Sequence, residues 1–216
     1  MNFSKTEVWG FEHALRGMRN PLESWNKSDS MIFMEQNENG DFIEVPKIGN
    51  NDLELAQKLI KAGSEHRKFL RQIFVSVDIT APLYWWKEES TYKIGTTENS
   101  TSTMHKLAST PITIDCFEMG DCNELPLYDI SSCWEHSLFV LEKLRELYNE
   151  TKDKRYWKEL IRLLPESWLQ TRTVTMNYEN LLNMYHQRKK HKLTEWHKFC
   201  EWVSNLPYAK ELLIGA

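Results

Sequence analysis

The stretch on which the reading of this chain turns is Leu164-Pro165-Glu166-Ser167-Trp168-Leu169-Gln170-Thr171-Arg172-Thr173-Val174-Thr175-Met176-Asn177-Tyr178-Glu179-Asn180-Leu181-Leu182-Asn183-Met184-Tyr185-His186-Gln187-Arg188. Pro165 ends whatever helix precedes it, because proline lacks the N–H that the next turn needs. Its apolar spacing predicts a long helix from near Thr175 to Arg188. On that helix Asn177, Leu181, Met184 and Arg188 share a face, since eleven residues bring a helix to within about 20° of its starting direction. A face that is apolar in the middle, with an amide at one end and a guanidinium at the other, is unusual for pure core. The fork of Arg188 suits a phosphate or a planar carbonyl edge. Asn177 and Asn183 offer donors and acceptors together, as the edge of a ring such as uracil or isoalloxazine requires.

The elements around this stretch point to an α+β chain. Ser132 to Glu150 and Thr151 to Leu164 read as two helices, and a last helix from Thr194 presents Trp196, Phe199, Cys200 and Val203 at i, i+3, i+4 and i+7. Upstream, Met31–Met34 and Phe42–Val45 flank the turn residues Asn37 to Asp41 and are expected to pair as a hairpin. Asn51-Asp52-Leu53-Glu54 has the form of a capping box. Ile73 to Ile79 is expected to be a buried strand. Thr80-Ala81-Pro82 then reads as the start of a helix carrying Trp85 and Trp86, with Thr80 as its cap. Gly95 to Thr103 is polar throughout and is expected to be a loop, either a linker or a ligand-binding one. Pieces of strand and turn are expected between residues 108 and 130, around Pro111 and Pro126.

Composition bounds the function. The chain has 216 residues and a formal net charge of −4, with 27 Lys and Arg against 31 Asp and Glu. A general nucleic-acid clamp needs a marked basic excess, so no nucleic-acid partner is expected. No apolar run is long enough to span a bilayer. The N-terminal MNFSKTEVWG lacks the apolar core of a signal peptide, so a cytoplasmic location is expected. With that location the N-x-S/T sequons, such as those at Asn26, Asn99 and Asn149, carry no meaning. Cys116, Cys122, Cys133 and Cys200 form no C-x-x-C pair and are expected as free thiols. His186, His191 and His197 are five and six residues apart, the wrong spacing for a shared helix face, so no metal is expected. The nine Trp, roughly three times ordinary usage, either fill core or line a slot for a flat ligand. No nucleophile elbow, P-loop or dinucleotide fingerprint occurs.

With these residues in place the chain resembles, as a divergent member, the flavin-dependent thymidylate synthases. That family has a Leu-Pro, an Asn-x-Arg-Ser-Leu-x-x-(Asn/His) motif starting twelve residues after the Pro, and an Arg eleven residues further on. Here Pro165 to Asn177 is twelve and Asn177 to Arg188 is eleven. Leu59 to His66 is similar to the helix end before the family's core strand. Ala81-Pro82-Leu83-Tyr84-Trp85-Trp86 stands where a helix leads to the family's Arg-His-Arg. Asn99-Ser100-Thr101-Ser102 resembles its Asn-Glu-x-Ser loop. The likeness covers about residues 50 to 205, with residues 1–50 variable. Its departures are as definite. Thr91-Tyr92-Lys93 replaces Arg-His-Arg, Glu179 replaces the second motif's Arg, Met104 replaces the Arg after the loop Ser, and Leu70-Arg71 stands near the family's Phe-Glu-His.

The resemblance implies a single α+β domain with a central, mostly antiparallel sheet and long helices. It also implies a homotetramer whose active sites are shared between subunits. The implied reaction passes a one-carbon unit from methylenetetrahydrofolate to dUMP or a related pyrimidine nucleotide. Reduced FAD supplies the hydride and NADPH reduces the flavin. By the same likeness Arg188 and Ser102 are the catalytic candidates, and both also bind substrate with Asn99, Arg162 and Lys87. The flavin candidates are Asn177, Asn183, Glu179, Tyr92, Lys93 and Arg71. Three readings stay open: this enzyme, a nucleotide-binding module on the same fold that has lost flavin chemistry, and a purely structural oligomeric protein.

Overall fold

The computed structural model describes residues 1–37, 40–120 and 130–215. Glu38 and Asn39, and with them part of the expected turn, lie outside the described residues, as do Cys122 and Pro126. The chain is α+β. It forms a four-stranded sheet in the order β1-β4-β6-β5, with β1 at Asn2–Trp9, β4 at Phe74–Pro82, β5 at Thr97–Ser100 and β6 at Leu169–Asn177, and a separate two-stranded sheet.

Side-chain pairs fix the direction of the two central strands. The Thr80 and Thr171 hydroxyls lie 2.7 Å apart, Thr173 Oγ1 donates to Asp78 at 2.5 Å, and Thr175 Oγ1 donates to Ser76 at 3.3 Å. Residue numbers rise along β4 as they fall along β6, so the pair is antiparallel. The same register continues beyond β4, where Tyr178 N donates to Ile73 O at 2.9 Å.

The residues group into two compact units. The first comprises Met1–Asn2, Ile79–Thr91 and Asn99–Arg172. It holds α3 (Leu83–Glu89), α4 (Thr103–Lys106), α5 (Ile130–Thr151) and α6 (Lys154–Leu163). Its core is Leu107, Ile112, Phe117, Leu141 and Leu160, where α5 and α6 lie against the segment after α4. The second unit comprises Phe3–Asp78, Tyr92–Glu98 and Thr173–Ala216. It holds α1 (Phe11–Arg19), the antiparallel hairpin β2 (Met31–Gln36) and β3 (Phe42–Lys47), α2 (Asn50–Lys61), α7 (Tyr178–Arg188) and α8 (Thr194–Ser204). Phe11, Leu70, Tyr178, Leu181 and Phe199 are among its fully buried side chains, with Phe11 edge-on to Tyr178.

The hairpin, α5, α6 and α8 form where the sequence predicts them, although α6 begins at Lys154 behind an Asp153 cap rather than at Thr151. Four expectations are corrected. The helix predicted from Thr175 begins at Tyr178. Thr171, Thr173 and Thr175 alternate with Val174 and Met176 at a period of two and continue β6 instead. β4 runs through Thr80 to Pro82, so α3 starts one residue after the proline with no side-chain cap from Thr80. The polar run after Gly95 is strand at Thr97–Ser100, and Ser102 caps α4 through a bond from His105 N at 3.2 Å.

The fourth correction concerns the expected capping box. α2 begins at Asn50, and the carboxylate of Asp29 accepts from Asn51 N at 3.0 Å and Asp52 N at 3.2 Å. Asp52 itself is turned inward. It accepts from Arg19 Nε at 2.5 Å and from the hydroxyls of Ser28 and Ser30 at 2.6 Å each. Burial pushes the Asp52 carboxyl up, and the bonds from Ser28, Ser30 and Arg19 outweigh it, so it titrates below the usual carboxylate range.

Candidate functional site

α7 organises the second unit's polar residues because of how it starts. Asn177, the last residue of β6, accepts from Asn180 N at 3.0 Å, and Asn180 Oδ1 accepts from Asn177 N at 3.2 Å. This reciprocal box satisfies backbone donors that the first turn of a helix otherwise leaves open. Asn177 is therefore a cap and not a member of the helix face. The segment from Tyr92 is laid against the same helix: Asn180 Nδ2 donates to Ile94 O at 2.6 Å, and Gly95 adopts φ +77°. A Cβ at Gly95 would stand 2.9 Å from Asn177 Nδ2 and 3.0 Å from Asn180 Oδ1, so glycine is required twice over, by backbone conformation and by space.

Within this first turn, the charge-reversed Glu179 is answered within the chain. It is buried and accepts from Arg67 Nε at 3.2 Å and from Arg71 Nε. Arg67 also donates through Nη2 to Asn183 Oδ1 at 3.1 Å. Burial pushes the Glu179 carboxyl up, but the bonds from Arg71 and Arg67 hold it below its ordinary range. The hydrogen bond that Arg71 donates to Glu179 in turn makes the Arg71 proton harder to remove. Arg67 was not among the sequence candidates. The available signal was two arginines four residues apart, a pair of cations that calls for an anion.

Arg71 also lines a pocket of about 750 Å³ in this unit, together with His66, Lys68, Gln72, Leu55 and Leu59. Cofactor pockets span roughly 300–1,000 Å³. A guanidinium, an ammonium and an imidazole beside two leucines suit a ligand with an anionic end and a flat apolar body. Glu65 is the acid on the same lining. Arg71 and Lys68 are the lining cations whose chemistry suits a phosphate group.

At the other end of α7, Arg188 is held by aromatic rings. Its Nε donates to the Tyr92 hydroxyl at 2.8 Å, and its guanidinium carbon lies 4.7 Å from the Trp196 ring centroid and 5.4 Å from that of Tyr92. Trp196 thus supports a cation as well as filling core. Lys93 follows Tyr92 and is exposed.

The first unit holds the remaining candidates, and it does not gather them. Lys87 pairs with Glu166 at 2.7 Å and Arg162 with Glu159 at 3.0 Å, both as solvated surface pairs. Ser102 is spent as the α4 cap, and Asn99 is exposed in β5. The chain after Asn99 is nonetheless firmly held. Thr101 N donates to Thr171 O at 2.9 Å, and Gln170 Nε2 donates to Thr101 O at 2.8 Å. Gln170 Oε1 accepts from Arg172 Nε at 3.0 Å, and the Arg172 guanidinium lies 4.3 Å over the ring of Trp86. Trp85 and Trp86 are fully buried, so these two tryptophans are core and line no slot.

Among the described residues no group of ligands could hold a metal ion. His186 and His197 engage backbone carbonyls, and His191 Nδ1 accepts from Leu193 N. Cys116, Cys133 and Cys200 are free thiols, and burial raises the Cys200 thiol to about 11, which keeps it unreactive. Among the described residues no helix is long and apolar enough to cross a membrane.

No protein-family model matches the chain, and no curated protein does. Solved structures do. Two structures of the flavin-dependent thymidylate synthase ThyX from Helicobacter pylori, complexed with FAD and dUMP, are similar to it at TM-scores of 0.67 and 0.68. Each is 20% identical in sequence, and the match covers 99% of this chain and 98% and 97% of theirs. At that identity the likeness is one of fold. It extends over almost the whole chain, where the sequence motifs reached only residues 50 to 205.

Proposed function

We propose that the protein is a divergent flavin-dependent thymidylate synthase-like enzyme that binds FAD and a pyrimidine nucleotide and methylates dUMP or a close relative of it. On this reading methylenetetrahydrofolate gives the one-carbon unit, NADPH is the reductant, and the working form is a cytoplasmic homotetramer. The observation that carries the reading is Arg188. It stands at the motif's spacing from Asn177 and Pro165, on a fold like that of enzymes solved with FAD and dUMP, with its guanidinium held by Tyr92 and Trp196.

The chain's own residues then divide the work. Arg188 binds the carbonyl edge of the pyrimidine and draws charge from the ring, an electrostatic activation that needs no cysteine nucleophile. Ser102 and Asn99 are nucleotide candidates by the resemblance alone, and Ser102 keeps its hydroxyl hydrogen to donate while it caps α4. Arg71 and Lys68 hold the flavin phosphates, with Glu179 fixing Arg71. Asn183 is fixed in the same way by Arg67. The flavin, when bound and reduced, supplies hydride.

A second reading, nucleotide binding without flavin chemistry, is favoured by Glu179, which engages two cations of this unit inside the chain. An absorbance spectrum of the purified protein with and without added FAD separates the two. The enzyme reading expects a flavin band that survives gel filtration and bleaches with dithionite. A colourless protein that retains no FAD, yet binds dUMP by calorimetry, would replace it with the second reading.

A further inference from the structure

A long side chain at the last turn of a helix is useful to a ligand only when something fixes it, and for Arg188 that something is specific. The Tyr92 hydroxyl uses both of its capacities here. It donates its single hydrogen to Gln187 Oε1 at 2.9 Å and accepts from Arg188 Nε at 2.8 Å. Tyr92 stands edge-on to Trp196 with ring centroids 6.2 Å apart, so the guanidinium meets two rings at an angle to each other. Tyr92 is fixed in its turn, because Asn180 bonds Ile94 O and Gly95 fits only as glycine against the box that starts α7. The segment from Tyr92 to Gly95 is therefore tied to both ends of α7, at Asn180 and at Gln187, about 10 Å apart along the axis.

We infer that Tyr92 is the positioning residue of Arg188. Its hydroxyl sets the rotation of the guanidinium so that the planar fork presents a fixed edge to the pyrimidine nucleotide. The ligand in this statement rests on the function proposed above, whereas the positioning rests on the contacts alone. The resemblance makes Tyr92 a flavin candidate, and on this inference it acts through Arg188.

The test uses the full chain as wild type, Tyr92→Phe, Tyr92→Leu and Arg188→Lys, with two readouts. The first is nitrogen-15 NMR of arginine Nε–H groups, in which the Arg188 signal is assigned by its absence from Arg188→Lys. The second is calorimetric titration with dUMP. Wild type is expected to show a slowly exchanging Arg188 Nε–H. Tyr92→Phe, which keeps the ring and loses the hydroxyl, should exchange it at least about tenfold faster and bind dUMP about tenfold more weakly, as for a hydrogen bond to a charged group. Tyr92→Leu, lacking the ring as well, should bind more weakly still. A Tyr92→Phe protein with wild-type exchange and wild-type affinity would overturn the inference while the proposed function stands. A wild-type protein with the slow Nε–H that binds no dUMP would overturn the proposed function and leave the Tyr92–Arg188 pairing in place.

Discussion

Replacing Glu179 by Gln measures how much the reversed charge is worth to this fold. The substitution keeps the side chain's shape and one acceptor, removes the charge, and turns an amide N–H₂ toward an arginine. Removing one partner of a fully buried ion pair costs about 3–5 kcal/mol, because the other charge is left unanswered. An exposed pair is worth about 0–1 kcal/mol. Glu179 lies between these limits, since its own side chain is 9% exposed while Arg67 is 20% and Arg71 55% exposed. Only the Arg67 half approaches the buried case. The acid also sits in the first turn of α7, where the helix dipole adds about 0.3–1 kcal/mol.

The expected loss is therefore about 2–3 kcal/mol at neutral pH, a fall in Tm of roughly 4–12 °C for a chain of this length. Urea and thermal unfolding of both proteins along a titration into acid would read it. Folding lowers the Glu179 pKa, so its contribution is fully present above the unfolded value and is lost as pH falls through the folded one. The gap between wild type and variant should hold from pH 7 down to the ordinary carboxylate range and then close. A variant as stable as wild type at pH 7, or a gap unchanged in acid, would refute the account of Glu179 as a charged partner of Arg67 and Arg71.

Two further substitutions probe the frame that carries the site. Asp52→Asn leaves the buried Arg19 without its counter-charge and should cost about 3–5 kcal/mol in urea unfolding; an unchanged midpoint would mean that Arg19 finds another partner. Because the Asp52 carboxyl is also held low, this loss too should shrink as pH falls through its folded pKa. Gly95→Ala places a Cβ on the α7 capping box at positive φ, which alone costs about 1–2 kcal/mol. Amide exchange over residues 178–181 should quicken, and exchange like that of wild type would show that the box does not depend on the segment laid against it.

What the sequence discloses is set by how local each interaction is. The extent of α5, the face of α8 and the pairing of β2 with β3 follow from periodicity within a dozen residues, and they are found where the pattern puts them. The errors sit at junctions. Thr175 to Asn177 reads as the start of a helix but belongs to β6. Its strand character depends on Ser76 and Asp78, nearly a hundred residues away. Asp52 has the composition of a cap, yet its partner is Arg19, 33 residues back, and the cap comes instead from Asp29. The polar run after Gly95 looks like a loop because its hydroxyls carry no periodic signal, although its backbone extends a sheet.

The same distance dependence changes what the departures from the thymidylate synthase pattern mean. Read along the chain, Glu179 is a cation lost and an anion gained at the position the resemblance gives to flavin. Read in space, the anion arrives with Arg67 and Arg71, the latter 108 residues away, and two arginines against one carboxylate leave the cluster cationic. Glu179 takes the Nε of Arg71, but a guanidinium carries five N–H donors, so a phosphate in the adjoining pocket can share Arg71 with Glu179 without displacing it. A carboxylate that orients an arginine also reduces the rotamer freedom that the arginine must lose on binding. The reversal is thus compatible with anion binding on two separate grounds. In the replaced triplet Tyr92 stands where the resemblance has a His, and its phenol holds a cation of this chain, Arg188.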